Sequence, residues 1–132
     1  MLAAEASAET VEFLRRYYDA IDQNRHEAAM ECFAPDATVQ AANEPAQPWM
    51  QGLRAMARQL RGVAGTRHEI RRVLEGPGGE AACELGIAYV LEDGEEIALS
   101  GALFCTIRDQ RFQHQSLYID LTPVREAIGT GS

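Results

Sequence analysis

Basic residues are scarce in this chain: 12 Lys and Arg stand against 20 Asp and Glu in 132 residues, a formal net charge of −8. A partner that is itself a polyanion, nucleic acid or an acidic membrane surface, needs a basic patch and is disfavoured. The one local basic cluster, Arg67, Arg71 and Arg72, reads as a solvated strand face before it reads as a phosphate site. Cysteine is also sparse. Cys32, Cys83 and Cys105 form neither a CxxC pair nor a spacing suited to metal ligation, so no metal is expected. Apolar flanks make them buried free thiols of a reducing compartment. The first residues, Met1-Leu2-Ala3-Ala4-Glu5, lack the basic start and long apolar core of a signal peptide. No apolar run approaches the roughly 20 residues of a membrane span. A cytoplasmic location is expected. The length suits one domain, and a chain of this size buries roughly 68% of its unfolded surface without a staple.

What is present is an ordered series of periodicities. Phe13, Leu14, Tyr17 and Ile21 make one apolar stripe, predicting a first helix over about Ser7 to Gln23, with Ser7 or Thr10 as cap. A short second helix is expected over His26 to Phe33, ended by Pro35 and Asp36, then a weak strand Thr38 to Ala41. Two prolines make residues 43–48 a loop. It leads through Trp49 and Met50, placed to cover a pocket opening, to a third helix over about Gly52 to Leu60. Four long strands follow: Arg67–Glu75, Ala81–Leu91, Glu96–Arg108 and Arg111–Leu121. Their turns are Gly76-Pro77-Gly78-Gly79, the hairpin pair Asp93-Gly94, and Asp109-Gln110. A short helix at Val124–Ile128 and a loose Gly/Ser tail close the chain. Helices first and a meander of long strands last predict an α+β fold. A curled, mainly antiparallel sheet wraps three N-terminal helices as a cone able to hold a ligand.

Several pieces carry a family resemblance: Tyr17-Tyr18-Asp19-Ala20-Ile21-Asp22, Phe33-Ala34-Pro35-Asp36-Ala37-Thr38-Val39, Gly52, His68-Glu69-Ile70, Asp93-Gly94 and Tyr118-Ile119-Asp120-Leu121. In this order and spacing the chain resembles the SnoaL-like branch of the nuclear transport factor 2-like superfamily over residues 8 to 123. That resemblance implies a cone-shaped α+β barrel, often dimeric, among ketosteroid isomerases, epoxide hydrolases, polyketide cyclases, dehydratases and many non-enzymes. Fold alone therefore selects no reaction. Ketosteroid isomerases use a Tyr and two Asp groups. Here the Tyr matches Tyr17, but Ala41 and Leu103 stand at the acidic positions. The water-activating carboxylate of limonene epoxide hydrolases falls on Leu117, and their Arg-x-Asp pair falls near Glu84 and Gly86.

The dehydratase pattern fits better. It implies Tyr17, Asp22 and His68 as a catalytic set: His68 the base, Tyr17 the acid that polarises a carbonyl, Asp22 the group that orients the ring. On an ideal helix, however, Tyr17 and Asp22 lie ~140° apart, and Tyr18 is the i+4 neighbour of Asp22. The plainer readings stay open: Tyr17 as core, Asp22 as a turn carboxylate paired with Arg25, His68 as a hydrogen-bonded core histidine.

Parity sorts the pocket. The family register turns Gln113, Gln115, Leu117 and Ile119 inward on the last strand, and His114, Ser116, Tyr118 and Asp120 outward. The expected substrate-binding lining is Trp49, Met56, Leu103, Cys105, Gln115, Leu117 and Ile119, apolar with few polar groups. The strand Ala81–Leu91 is ambiguous, register favouring Gly86, Ala88 and Val90 inside, bulk favouring Leu85, Ile87 and Tyr89. Phe104, Tyr118, His114 and Tyr89 are candidates for a homodimer surface on the outer face. Two functions follow from the sequence. One is a cofactor-independent dehydratase, isomerase or cyclase of an apolar carbonyl compound. The other is a non-catalytic small-molecule-binding or dimerisation module.

Overall fold

Ser7 opens the first helix in the computed structural model, which describes residues 4–129. Its Oγ accepts the Thr10 N–H at 3.3 Å, satisfying one of the helix's orphan donors. The same hydroxyl and its backbone N–H both donate to Glu75 Oε1 at 2.9 Å, pinning the start of the helix to a strand end. The elements run β1 (Ala4–Glu5), α1 (Ala8–Asp22), α2 (His26–Met30), β2 (Phe33–Ala41), β3 (Gln47–Pro48) and α3 (Trp49–Gln59). They continue through β4 (Val63–Glu75), a 3-10 turn, β5 (Glu80–Leu91), β6 (Glu96–Arg108), β7 (Arg111–Ile119) and α4 (Thr122–Gly129).

The described residues form a seven-stranded sheet in the order β1-β4-β5-β6-β7-β2-β3. All neighbours are antiparallel except β2 and β7, which run parallel. The sheet curls without closing, since β1 and β3 remain its edges. This is the expected α+β architecture, with helices against a curved sheet.

The inner face is built by alternation. Leu85, Ile87 and Tyr89 on β5 and Leu103 and Cys105 on β6 are buried. So bulk, rather than the family register, decides the face of β5. Tyr89 is 4% exposed and is removed from the candidate dimer surface. Onto this face α1 lays Phe13, Leu14, Tyr17 and Tyr18. Phe13, Tyr17 and Phe33 all pack on Phe112, with ring centroids 4.9 to 5.3 Å apart. The three cysteines are buried and free, as expected.

Four local expectations are corrected. Helix α2 stops at Met30, and β2 begins at Phe33, five residues early. Pro35 and Asp36 sit in an irregular stretch of its register against β7 rather than ending a helix. The loop over residues 43–48 contains the short strand β3, and α3 begins at Trp49, so Trp49 and Met50 are helical. On β7 a register shift opposite Thr106 and Ile107 brings Phe112 inward. Gln113 instead donates to the Arg108 and Arg111 carbonyls at the turn. The tail from Thr130 onward and the N-terminal Met1, Leu2 and Ala3 lie outside the described residues.

Candidate functional site

A cleft of about 740 Å³ opens between α3, the β2–β7 pair and α4. It lies within the usual size range of small-molecule sites. Gly52 makes it possible. A Cβ there would stand 1.8 Å from Val39 Cγ2, so α3 approaches β2 as closely as it does only through a glycine. Val39 and Gln115, register partners on the parallel strands, form the most buried part of the wall, each 7% exposed. Leu53, Met56, Leu117 and Ile119 give the apolar sides. The charged groups Glu44, Asp120 and Arg125 are exposed at the rim. Asp120 already accepts the Thr122 N–H at 3.0 Å and caps α4, and its side-chain bond to Thr122 holds its carboxyl below the usual range.

Gln115 brings an amide into an apolar wall, and its Nε2 has no hydrogen-bond partner among the described residues. Tyr17 stands behind it. Burial pushes the Tyr17 phenol far above its ordinary value, and the nearby Gln115 side chain opposes part of that rise. The two groups face each other without a hydrogen bond of standard geometry. Tyr17 is therefore a neutral phenol at physiological pH, embedded among Tyr18, Phe33 and Phe112.

Asp22 and His68 form a second polar centre. Asp22 ends α1, and its Oδ1 lies 2.6 Å from His68 Nδ1 while its Oδ2 accepts the His68 N–H at 2.7 Å. Thr66, two residues earlier on β4 and on the same face, donates its hydroxyl to Oδ1 at 2.8 Å. A carboxylate only accepts, so Nδ1 carries a proton, and in the neutral ring it is Nε2 that has the lone pair. Tyr18 stacks on the imidazole, with centroids 4.5 Å apart. The His68 side chain is 9% exposed.

The expected set is thus partly assembled. Asp22 and His68 meet; Tyr17 does not join them, and Tyr18 occupies the ring face instead. Helical phase explains this, since Tyr18, not Tyr17, shares a face with Asp22. Of the expected lining, Met56, Gln115, Leu117 and Ile119 border the cleft. Leu103 and Cys105 are core residues, and Trp49 stacks on Phe33 at 4.9 Å and does not border the cleft. Burial raises the Cys105 thiol to about 12, which makes it a poor nucleophile. Sequence reasoning named Tyr18 only as the i+4 neighbour of Asp22 and missed Thr66, whose spacing of two from His68 on one strand face was visible. It also missed the polar rim, which depends on how α3 and α4 meet.

A family model for the SnoaL-like domain matches residues 14–115. The chain belongs to the SnoaL-like domain family. No curated protein sequence matches it. Solved structures of the same shape are numerous. AclR from Streptomyces galilaeus, described as a hydroxylase, aligns with a TM-score of 0.77 at 10% identity, over 95% of this chain and 98% of its own. A SnoaL-like polyketide cyclase, as described, from Jannaschia sp. CCS1 gives 0.73 at 16%, over 95% and 96%. An LEH-like epoxide hydrolase from M. tuberculosis gives 0.71 at 13%, over 95% and 92%. At such identities the likeness speaks to the fold of this SnoaL-like chain, and its chemistry rests on its own residues. Among the described residues no cluster of three or more His, Cys, Asp or Glu could hold a metal. No helix among them is long and apolar enough to cross a membrane.

Proposed function

We propose that this SnoaL-like domain processes an apolar, carbonyl-bearing small molecule by general acid–base catalysis without a cofactor, as a dehydratase, isomerase or cyclase. The observation that carries the reading is the 2.6 Å contact between Asp22 Oδ1 and His68 Nδ1. It fixes one tautomer and leaves Nε2 as a base suited to removing a proton beside a carbonyl. Tyr17, held neutral by burial, is the candidate acid that polarises the carbonyl oxygen. A second reading, a non-catalytic binding module, is favoured by a specific observation: none of Tyr17, Asp22 and His68 borders the cleft.

Hydrogen–deuterium exchange at the carbon next to the carbonyl of 1-tetralone, followed by proton NMR in heavy water, separates the two. Under the catalytic reading the protein accelerates exchange, and His68→Ala and Tyr17→Phe abolish the acceleration while circular dichroism stays native. A ketone that binds without accelerated exchange selects the binding module. Loss of fold in both variants assigns the residues to structure.

The outer sheet face is proposed as a homodimer surface. Phe104 and Tyr118 are 52% and 45% exposed there and meet edge to face at 5.8 Å. Two large aromatic rings left in water on an otherwise regular strand face are the kind of patch that a second copy covers.

A further inference from the structure

We infer that Gln115 selects the ligand of the cleft: a neutral molecule, apolar over its body, with a single hydrogen-bond-accepting oxygen at its buried end. The inference rests on the proposed reading of the cleft as a small-molecule site and adds the group that chooses among such molecules.

The argument starts from an unbalanced donor. Gln115 is 93% buried by its 7% exposure, and its Nε2 finds no acceptor among the described residues. Leaving such a donor unpaired in an apolar wall costs about as much free energy as a hydrogen bond contributes. The surroundings do not relieve it. Its cross-strand neighbours are Cys105 on one side and Val39 on the other, neither of which offers a side-chain oxygen. The Tyr17 hydroxyl faces it without standard hydrogen-bond geometry. The last torsion of a glutamine side chain is soft, so the amide turns toward the cleft at little cost.

Charge narrows the ligand further. The charged side chains that border the cleft, Glu44, Asp120 and Arg125, and the Tyr118 phenol are all exposed at its rim. Other amides, Gln40, Asn43, Gln47 and Gln59, also border the cleft, but Gln115 is the most buried of them and stands beside apolar Val39 and Leu117. An ion seated there would lose its hydration without gaining a countercharge, whereas a ketone or ether oxygen satisfies the amide and brings no charge with it. A site built to hydrogen-bond an oxygen also rejects the analogue that lacks it, because the donor is then left unpaired.

The test compares a matched pair, 1-tetralone and its deoxygenated counterpart tetralin, by calorimetric or NMR titration against the wild-type protein and Gln115→Met, which keeps length and removes the donor. The expected result is a tetralin-to-tetralone ratio of dissociation constants about tenfold larger in the wild type than in Gln115→Met, the weight of one buried hydrogen bond. If Gln115→Met does not fold, Gln115→Asn, which withdraws the amide by one methylene, carries the same comparison. A ratio that is equal in wild type and variant overturns the role of Gln115 while leaving the cleft as a binding site. A wild type that binds neither compound overturns the cleft reading and this inference together.

Discussion

Asp22 grips His68 at two points, the ring Nδ1 at 2.6 Å and the main-chain N–H at 2.7 Å. The C-terminus of α1 is thereby fastened to the middle of β4, and the ring is fixed in one tautomer and one orientation. Removing the carboxylate leaves two largely buried donors and the Thr66 hydroxyl without their acceptor. Asp22→Ala is expected to destabilise the fold by about 2–3 kcal/mol in urea unfolding. In a double-mutant cycle with His68→Ala the two losses are expected to be far from additive, since both remove the same contact.

Gly52 sets how near α3 comes to β2. With a Cβ placed 1.8 Å from Val39 Cγ2, Gly52→Ala forces the helix outward. A loss of about 1–3 kcal/mol is expected from overpacking, offset only slightly by the better helix propensity of alanine. Because Gly52 and Val39 both border the cleft, the same variant is expected to weaken 1-tetralone binding. Denaturation midpoints and titrations check the two effects separately.

Alkaline pH is expected to unfold the protein well before its arginines titrate. Burial raises the Cys83 thiol to about 11, and the Cys105 thiol and the Tyr89 phenol to about 12. Unfolded, these groups lose their protons near pH 9 for the thiols and near 10 for the phenol. Between those values and the native ones, the folded state holds more protons than the unfolded state, so stability falls as pH rises. The expected thermal midpoint is level up to about pH 8.5 and declines above pH 9. Ellman's reagent at pH 8 is expected to label none of the three thiols until denaturant is added.

The outer face makes a prediction about mass. Sedimentation is expected to give twice the monomer mass of 14.5 kDa for the wild type and the monomer mass for Phe104→Glu. A wild type that sediments as a monomer removes the outer-face proposal and leaves Phe104 and Tyr118 as solvent-facing rings.

The fold was legible where local chemistry agreed with the tertiary outcome. Asp93-Gly94 announces the β5–β6 hairpin, and β6 runs over Glu96–Arg108 as its alternation indicates. It was illegible where tertiary contacts overrode local signals. Pro35 reads as a helix terminator, yet the chain around it is drawn into a strand because Phe33 belongs to the aromatic core. Parity failed at Gln113 because the register shift near Thr106 and Ile107 admits Phe112 in its place. At the site, alternation sorted the last strand into two faces, and the family register chose which one turns inward. The inward phase of His68 could be read from alternation. Ser116, placed outward with Tyr118, is buried. The Asp22–His68 contact came from family resemblance, since nothing in the spacing of residues 22 and 68 predicts it. The separation of Tyr17 from that pair was already contained in the 100° step of the helix. The cleft was the least legible part, because it is formed by three elements far apart in sequence.

The parallel pairing of β2 with β7 has a consequence for how the chain is made. Among the described residues β2 has one long sheet neighbour, β7, which follows it in the chain only after β4, β5 and β6. As residues leave the ribosome in order, β2 lacks its parallel partner, and Phe33 its contact with Phe112, until residues 111–119 arrive. The β4–β5–β6 meander, whose contacts are close in sequence, can form during that wait. A nascent chain arrested before β7 would therefore expose the wall that later becomes the cleft, and β7 is the stitch that closes it.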